Sequence, residues 1–263
     1  MTSLQNTKII NNFNVYKPLI LLHKMAKRKY SKKRTSTKKT YKKRRTSMVK
    51  YRKPLPLNGF PDKYVCRLKY AELITLDATA LGSAAPTYHS FRANSLFDPN
   101  YTSVGHQPRG FDELASLYDH YTVIGSKCTV HFENDVDHLQ PAGQYCFLML
   151  DDAHTVPLDI VDLCEESNRY KIAYKERNTT GSRNIVMSKK FSPYKMFGLP
   201  KKDSLITNNK LTPSVVANPT EDAFFTLGVI CSRTTTTDPP RIVCRVEIEY
   251  LAVFTEKKPM ARS

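Results

Sequence analysis

Three segments of the chain alternate between apolar and polar residues, which is the period of a β-strand with one buried face. In residues 62–77 (DKYVCRLKYAELITLD) the apolar side chains fall mainly on even positions and the charged or polar ones on odd positions. Residues 121–134 show the same pattern, and residues 241–254 (RIVCRVEIEYLAVF) show it most clearly. Such alternation is typical of antiparallel sheets that have one face on a core and the other in water.

Weaker patterns complete the set of predicted elements. Five further strands are predicted at residues 87–97, 143–151, 170–175, 183–191 and 223–232. Residues 109–121 (RGFDELASLYDHY) predict the one helix, because Phe111, Leu114 and Tyr118 share a helical face. Residues 192–221 contain four prolines and little periodicity, which predicts a long irregular loop that contacts another subunit. Together these elements predict an all-β fold, a single eight-stranded antiparallel jelly roll.

The charge of the chain divides it near residue 53. Residues 1–53 hold 18 Lys and Arg and no acidic residue, whereas residues 54–263 hold 23 basic and 24 acidic residues. A segment so rich in Lys, Ser and Thr cannot bury enough apolar surface to offset the entropy of ordering it. We therefore predict a disordered basic arm at residues 1–53 and a folded jelly-roll domain at residues 54–263.

The arm carries the strongest functional signal. Repeated cations contact phosphates without reading sequence, and interleaved tyrosines offer rings on which bases stack. The predicted nucleic-acid-binding residues are Lys27, Arg28, Lys29, Tyr30, Lys32, Lys33, Arg34, Lys38, Lys39, Tyr41, Lys42, Lys43, Arg44, Arg45, Lys50, Tyr51, Arg52 and Lys53. The same run is typical of a nuclear import signal. Arg67 and Lys69, on the polar side of the first strand, form a possible second layer of phosphate contacts, although ordinary exposed charge is the simpler interpretation of these two.

Several other features bound the class of protein. Six cysteines without a C-x-x-C pair predict reduced thiols and a cytosolic or nuclear setting. The apolar run at residues 18–23 (PLILLH) is too short to span a membrane and lacks the flanks of a signal peptide, so we predict no membrane partner. Met25 offers a natural beginning for the arm, which sets residues 1–24 apart as an extension.

Candidate catalytic and metal-binding patterns are weak. Gly125-Ser126-Lys127 has the wrong order and setting for a phosphate loop, so we interpret Gly125 as a bulge in a strand. Residues 133–138 concentrate oxygen ligands, yet a solvated turn is favoured over a calcium site there. Asp151 and Asp152 are adjacent and should point to opposite faces of a strand. We predict no enzyme activity, no cofactor and no metal site.

Three stretches carry a resemblance to a known family. The sequence MAKRK from Met25, FRANSLFDPN at residues 91–100 and GHQPRGFDELASLYDHYTVIGSKCTVHF at residues 105–132 resemble the capsid proteins of circular Rep-encoding single-stranded DNA viruses, the circovirus-like group. The resemblance implies a jelly roll that assembles into a T=1 icosahedral shell of about sixty copies. It also implies an arm that packages the single-stranded DNA genome and binds a nuclear import receptor, and a protein found in the virion and, during assembly, in the host nucleus.

Two alternatives from other classes stay open at this point. A cellular nucleic-acid-binding protein, such as a ribosomal or chromatin component, would share the basic arm but would not need self-association. An enzyme built on a jelly roll would need metal-binding His and Glu on facing strands, and no such set is visible in the sequence.

Overall fold

A computed structural model of the chain describes residues 59–78, 85–135, 143–166, 168–176, 184–199, 205–232 and 239–259. The chain divides into two units, Met1–Arg52 and Lys53–Ser263, and all described residues belong to the second. The predicted arm at residues 1–53 therefore lies outside the described residues.

The described residues form two four-stranded sheets and three short helices. The strands are β1 (Lys63–Leu76), β2 (Thr87–Arg92), β3 (Tyr118–Asn134), β4 (Gln144–Asp151), β5 (Tyr170–Lys175), β6 (Ile185–Phe191), β7 (Phe224–Cys231) and β8 (Ile242–Lys257). The helices are α1 (Phe111–Leu117), α2 (Ile160–Glu165) and α3 (Pro193–Met196). All eight predicted strands are present, including the five that rest on weaker patterns.

The strand order shows how the chain folds onto itself. The first sheet has the order β1-β8-β3-β6, the second has the order β2-β7-β4-β5, and every pair is antiparallel. Strands pair from the two ends of the chain inward, β1 with β8, β2 with β7, β3 with β6 and β4 with β5. This nested pairing across two packed sheets is a jelly roll, as the sequence predicts.

The inward faces of both sheets form one core. Alternate residues of β3 and β8, such as Val130 and Val246, are fully buried against Leu148 and Leu227 of the second sheet. One buried tyrosine of this core has its hydroxyl hydrogen-bonded, because the Tyr250 hydroxyl donates to the Arg92 carbonyl at 2.7 Å. The strict alternation of the long strands is thus explained by burial on one side only.

Part of the other face of the second sheet is buried as well. Phe147 and Met149 of β4 point away from the main core and form a smaller cluster with Leu163 of α2 and Tyr170 of β5. The helix begins at Asp159, whose side chain accepts a hydrogen bond from the Val161 backbone N–H at 3.1 Å. The β4–β5 connection therefore folds back as a cover over this sheet.

Phe147 needs a neighbour without a side chain. It lies opposite Gly228 of β7, where an added Cβ would come within 2.3 Å of the Phe147 ring and 2.7 Å of the Thr87 carbonyl oxygen. Any other residue at position 228 would collide with the ring or with backbone.

Two predicted elements end earlier than the sequence predicts. The helix predicted at residues 109–121 ends at Leu117, because Tyr118 and Tyr121 pair with β8 and are buried in the core; tertiary pairing overrides the helical period. The strand predicted at residues 87–97 ends at Arg92, since the Asn94 side chain hydrogen-bonds the backbone of Glu221 and Ala223 and turns the chain.

The segment 192–221 is not wholly irregular, because it contains α3, with Pro193 at the first helical turn. All six cysteines lie among the described residues, and no disulfide joins them there; the predicted reduced state stays a prediction.

Candidate nucleic-acid interface

The predicted arm residues from Lys27 to Lys53 lie outside the described residues, so the structure bears only on Arg67 and Lys69. Both are exposed on β1, on the face of the first sheet that points away from the core. Their role in binding stays a prediction, but the strand register shows what lies beside them.

Two further lysines join Lys69 in one row across the sheet. Lys69 lies opposite Glu249 of β8, Glu249 lies opposite Lys127 of β3, and Lys127 lies opposite Lys190 of β6. With strands about 4.8 Å apart, the row spans roughly 14 Å. We call Arg67, Lys69, Lys127 and Lys190 the basic face.

Most of the basic face forms no ion pair with the part of the chain that the structure describes. Lys69 Nζ lies 2.7 Å from Glu247 Oε2, and this hydrogen bond lowers the pKa of Glu247 below its ordinary value. Among the residues that the structure describes, Arg67, Lys127 and Lys190 form no ion pair. Three cations on one small surface therefore remain available to an external anion.

A hollow lies within the basic face. It encloses about 320 Å³, and its lining includes the three cations Arg67, Lys127 and Lys190, one carboxylate, Glu249, and Gly125 and Leu251. Gly125 follows the bulge in β3, where the register against β8 shifts between Val123 and Gly125. The predicted glycine bulge is thus confirmed, and because Gly125 has no side chain, the sheet surface is open there.

The stretches that carry the family resemblance are mostly structural. Arg92 forms an ion pair with Asp98 at 2.7 Å and lies over the Tyr101 ring, 5.1 Å from its centroid. Asp222 lies 3.5 Å from the same guanidinium, but burial outweighs that charge and raises the pKa of Asp222. This buried ion cluster fixes the connection after β2.

Residues 105–132, the longest stretch that carries the resemblance, also hold the connection after β2 in place. Gln107 Nε2 donates to the Phe97 carbonyl at 3.1 Å, and the Tyr121 hydroxyl donates to the Ala217 carbonyl at 3.0 Å. Burial raises the pKa of Tyr121 to about 12, so this hydroxyl stays a donor at neutral pH. These residues organise loops, whereas Lys127 alone from this stretch belongs to the basic face.

A larger cavity of about 590 Å³ lies where β1 begins and β8 ends. Its charged lining is mixed, with Lys63, His120 and Lys257 beside Asp62 and Glu256. His120 Nε2 lies 3.4 Å from Glu256 Oε2. The charges of this cavity are therefore more evenly balanced than those of the hollow in the basic face, where three cations lie beside one carboxylate.

Other predicted sites receive less support from the described residues. Among them, no group of three or more His, Cys, Asp or Glu side chains is arranged to hold a metal ion. Part of the oxygen-rich stretch at 133–138, from residue 136 onward, lies outside the described residues. Within the described part of the chain, no helix is long and apolar enough to cross a membrane.

Sequence reasoning found Arg67 and Lys69 but did not connect them with Lys127 and Lys190. Alternation already assigns Lys127 to the polar face of its strand, yet which strands are neighbours depends on pairings between residues far apart in sequence. The basic face is therefore a product of topology and register.

Comparisons with known proteins report likenesses in structure alone. No protein-family model matches the chain, and no curated protein matches it in sequence. Among solved structures, the 60-mer BFDV capsid protein is similar at 10% identity and a TM-score of 0.40, over 76% of this chain and 97% of that chain. The Macrobrachium rosenbergii nodavirus particle is similar at 8% identity and a TM-score of 0.40, over 76% and 97%. Desmodium yellow mottle tymovirus is similar at 12% identity and a TM-score of 0.36, over 76% and 93%.

Proposed function

We propose that this protein is a viral capsid subunit, without enzyme activity, that assembles into a closed icosahedral shell and packages single-stranded DNA through its basic arm. The observation that carries the proposal is the union of two parts in one chain: a jelly-roll domain, and before it a segment that holds 18 cations and no acid. The resemblance of residues 91–100 and 105–132 to circovirus-like capsid proteins supports the same function and suggests the kind of genome.

The charge distribution fits a scaffold that carries a separate binding segment. Residues 54–263 are nearly neutral, with 23 basic against 24 acidic residues, so copies of the folded domain can approach one another without strong mutual repulsion. The arm concentrates the positive charge where it can neutralise phosphates and release their counterions. In a shell of about sixty copies, such arms would bring on the order of a thousand positive charges to the enclosed strand.

The arm also supports a nuclear step. Basic runs of five to eight residues are read as import signals, and residues 24–53 contain several. In this proposal, the subunit enters the host nucleus through an import receptor, meets the genome there and leaves in the virion. A fluorescent fusion of residues 25–53 should accumulate in nuclei, and a diffuse cytoplasmic signal would remove this step.

The main rival is a cellular nucleic-acid-binding protein with a basic tail. The experiment that separates the two is negative-stain electron microscopy of the purified full-length protein, before and after nuclease treatment, with light scattering of the same samples. Uniform closed shells support the capsid subunit. A protein that stays monomeric across salt and pH, yet still binds nucleic acid, would reject it in favour of the rival.

Deletion of residues 1–53 tests whether DNA binding belongs to the arm and folding to the rest of the chain. The truncated protein should keep the circular dichroism of a β-sheet protein but lose nearly all binding to single-stranded DNA, because the arm supplies most of the phosphate contacts. Loss of the β-sheet signal would show that the arm is part of the folded domain.

A further inference from the structure

The basic face contains an arrangement that is unfavourable for the isolated domain. Lys127 and Lys190 lie directly opposite each other on β3 and β6, and like charges in that position destabilise a sheet. Neither ammonium group has a carboxylate within ion-pairing distance among the described residues. An anion bound between them would relieve the repulsion.

We propose that the basic face is a second, folded binding surface for the sugar-phosphate backbone of a single strand. Lys127 and Lys190 would hold one phosphate between them, and Arg67 would hold another across the hollow. This inference rests on the proposed function, because it assigns part of the same nucleic-acid partner to the jelly roll itself.

The hollow indicates what lies between the phosphates. Its volume of about 320 Å³ is at the lower end of the size of small-molecule sites, on the order of 300 Å³, and accommodates one sugar or base. Leu251 is half-buried in its lining and offers an apolar surface, while Arg67, Lys127 and Lys190 bring three cations against the one carboxylate of Glu249. A lining of net positive charge with an apolar surface fits a nucleotide better than a free inorganic anion.

The position of the basic face in the chain supports the same partner. Lys63, where β1 begins, comes ten positions after Lys53, the last predicted arm residue. Arg67 follows four residues into β1. The basic face thus begins close in sequence to the segment that is predicted to bind nucleic acid.

The test compares two double variants of the full-length protein. Lys127→Gln with Lys190→Gln removes two charges from the basic face, and Lys171→Gln with Lys195→Gln removes two exposed charges elsewhere. Binding of a fluorescent oligothymidylate is measured by anisotropy between about 50 and 200 mM salt, a range over which phosphate contacts dominate affinity. The salt dependence, rather than affinity alone, counts the phosphates neutralised.

The expected result is a specific loss of slope. Each phosphate contact to a single strand contributes about −0.7 to the slope of log K against log salt. Because Lys127 and Lys190 share one phosphate, the slope of the first variant should be smaller by about 0.7, and that of the second should match the wild type. Equal slopes in all three proteins, or equal losses in both variants, would overturn the inference and leave the proposed function standing. A wild-type protein that does not bind the oligonucleotide would reject the proposed function and this inference together.

A second measurement needs no variant. Lysine acetylation of the wild-type protein, followed by mass spectrometry, should show that bound oligothymidylate slows modification of Lys127 and Lys190 but not of Lys171 and Lys195. Unchanged rates at Lys127 and Lys190 in the bound state would overturn the inference even if the double variant failed to fold.

Discussion

The two sheets share one core, but their opposite faces have different environments. On the second sheet, α2 covers Phe147 and Met149, and this outer face is a second, apolar cluster. On the first sheet, the corresponding face is exposed to solvent and carries the basic face. The outer face of the second sheet therefore packs against a helix, whereas the outer face of the first sheet is solvent-exposed and charged. The comparison predicts that substitutions on the covered face change stability, whereas those on the open face change binding.

The largest expected effect is the loss of a covered aromatic ring. Phe147→Ala should lower the free energy of unfolding by about 3–5 kcal/mol, because the side chain is fully buried and its removal leaves a cavity. Leu73→Ala on the open sheet, where Leu73 is 68% exposed, should stay within about 0.5 kcal/mol of the wild type. Urea unfolding monitored by circular dichroism measures both, and similar losses would contradict the distinction between the faces.

A pair of glycine substitutions makes the same comparison at smaller scale. Gly228→Ala should cost about 1–3 kcal/mol, since its Cβ would meet the Phe147 ring at 2.3 Å and a backbone oxygen at 2.7 Å. Gly125→Ala should be tolerated, because the nearest atom to its Cβ is the Phe191 carbonyl oxygen at 3.5 Å. If thermal unfolding shows Gly125→Ala to be the more damaging change, the bulge rather than the cover limits stability.

A third substitution sharpens the electrostatic side of the comparison. Glu249 is the one carboxylate in the row of Lys69, Lys127 and Lys190. Glu249→Gln should tighten oligothymidylate binding by about two- to threefold, which is the size expected when one screened negative charge near the bound DNA is removed. Glu165→Gln, an equal change on exposed α2, serves as control and should leave the affinity unchanged; equal gains in both would indicate a net-charge effect.

The smallest expected effect concerns pH. Lys69 lowers the pKa of Glu247, so this pair stabilises the fold above the ordinary carboxyl pKa and loses that contribution as the pH falls through the lowered value. Lys69→Met lacks this contribution at every pH. Its free energy of unfolding should therefore fall less between about pH 5 and pH 3 than that of the wild type, by a few tenths of a kcal/mol, as for exposed ion pairs. Urea midpoints across this range measure it, with Lys171→Met as the control; identical curves for wild type and Lys69→Met would show that the pair contributes nothing.

The two faces also differ in how far the sequence predicts them. Alternation in β1, β3 and β8 predicts an open face directly, and it does so correctly. The covered face is less visible, because β4 (QYCFLMLD) is a nearly continuous apolar run, which indicates burial on both sides without identifying the cover. The cover itself, α2, has six residues and is too short for a helical period to be recognised.

The candidate site shows the same limit. Arg67 and Lys69 are predicted from one strand, whereas Lys127 and Lys190 join them only through pairings of β1 with β8, β8 with β3 and β3 with β6, whose residues lie far apart in the sequence. The pattern within one β-strand predicts which face of the sheet a side chain lies on. It does not predict which side chains from other strands lie beside that one.

The close approach of Phe147 and Gly228 has a consequence for how the strands find their alignment. A one-residue slip of β7 against β4 would turn core residues outward, so burial alone prevents it. A two-residue slip keeps every side chain on its own face, and burial does not discriminate against it. In that misaligned state Thr226 or Ile230 would replace Gly228 beneath the ring, where even a single added carbon collides. The absence of a side chain at position 228 thus permits the native register of β7 against β4 and disfavours the register shifted by two residues.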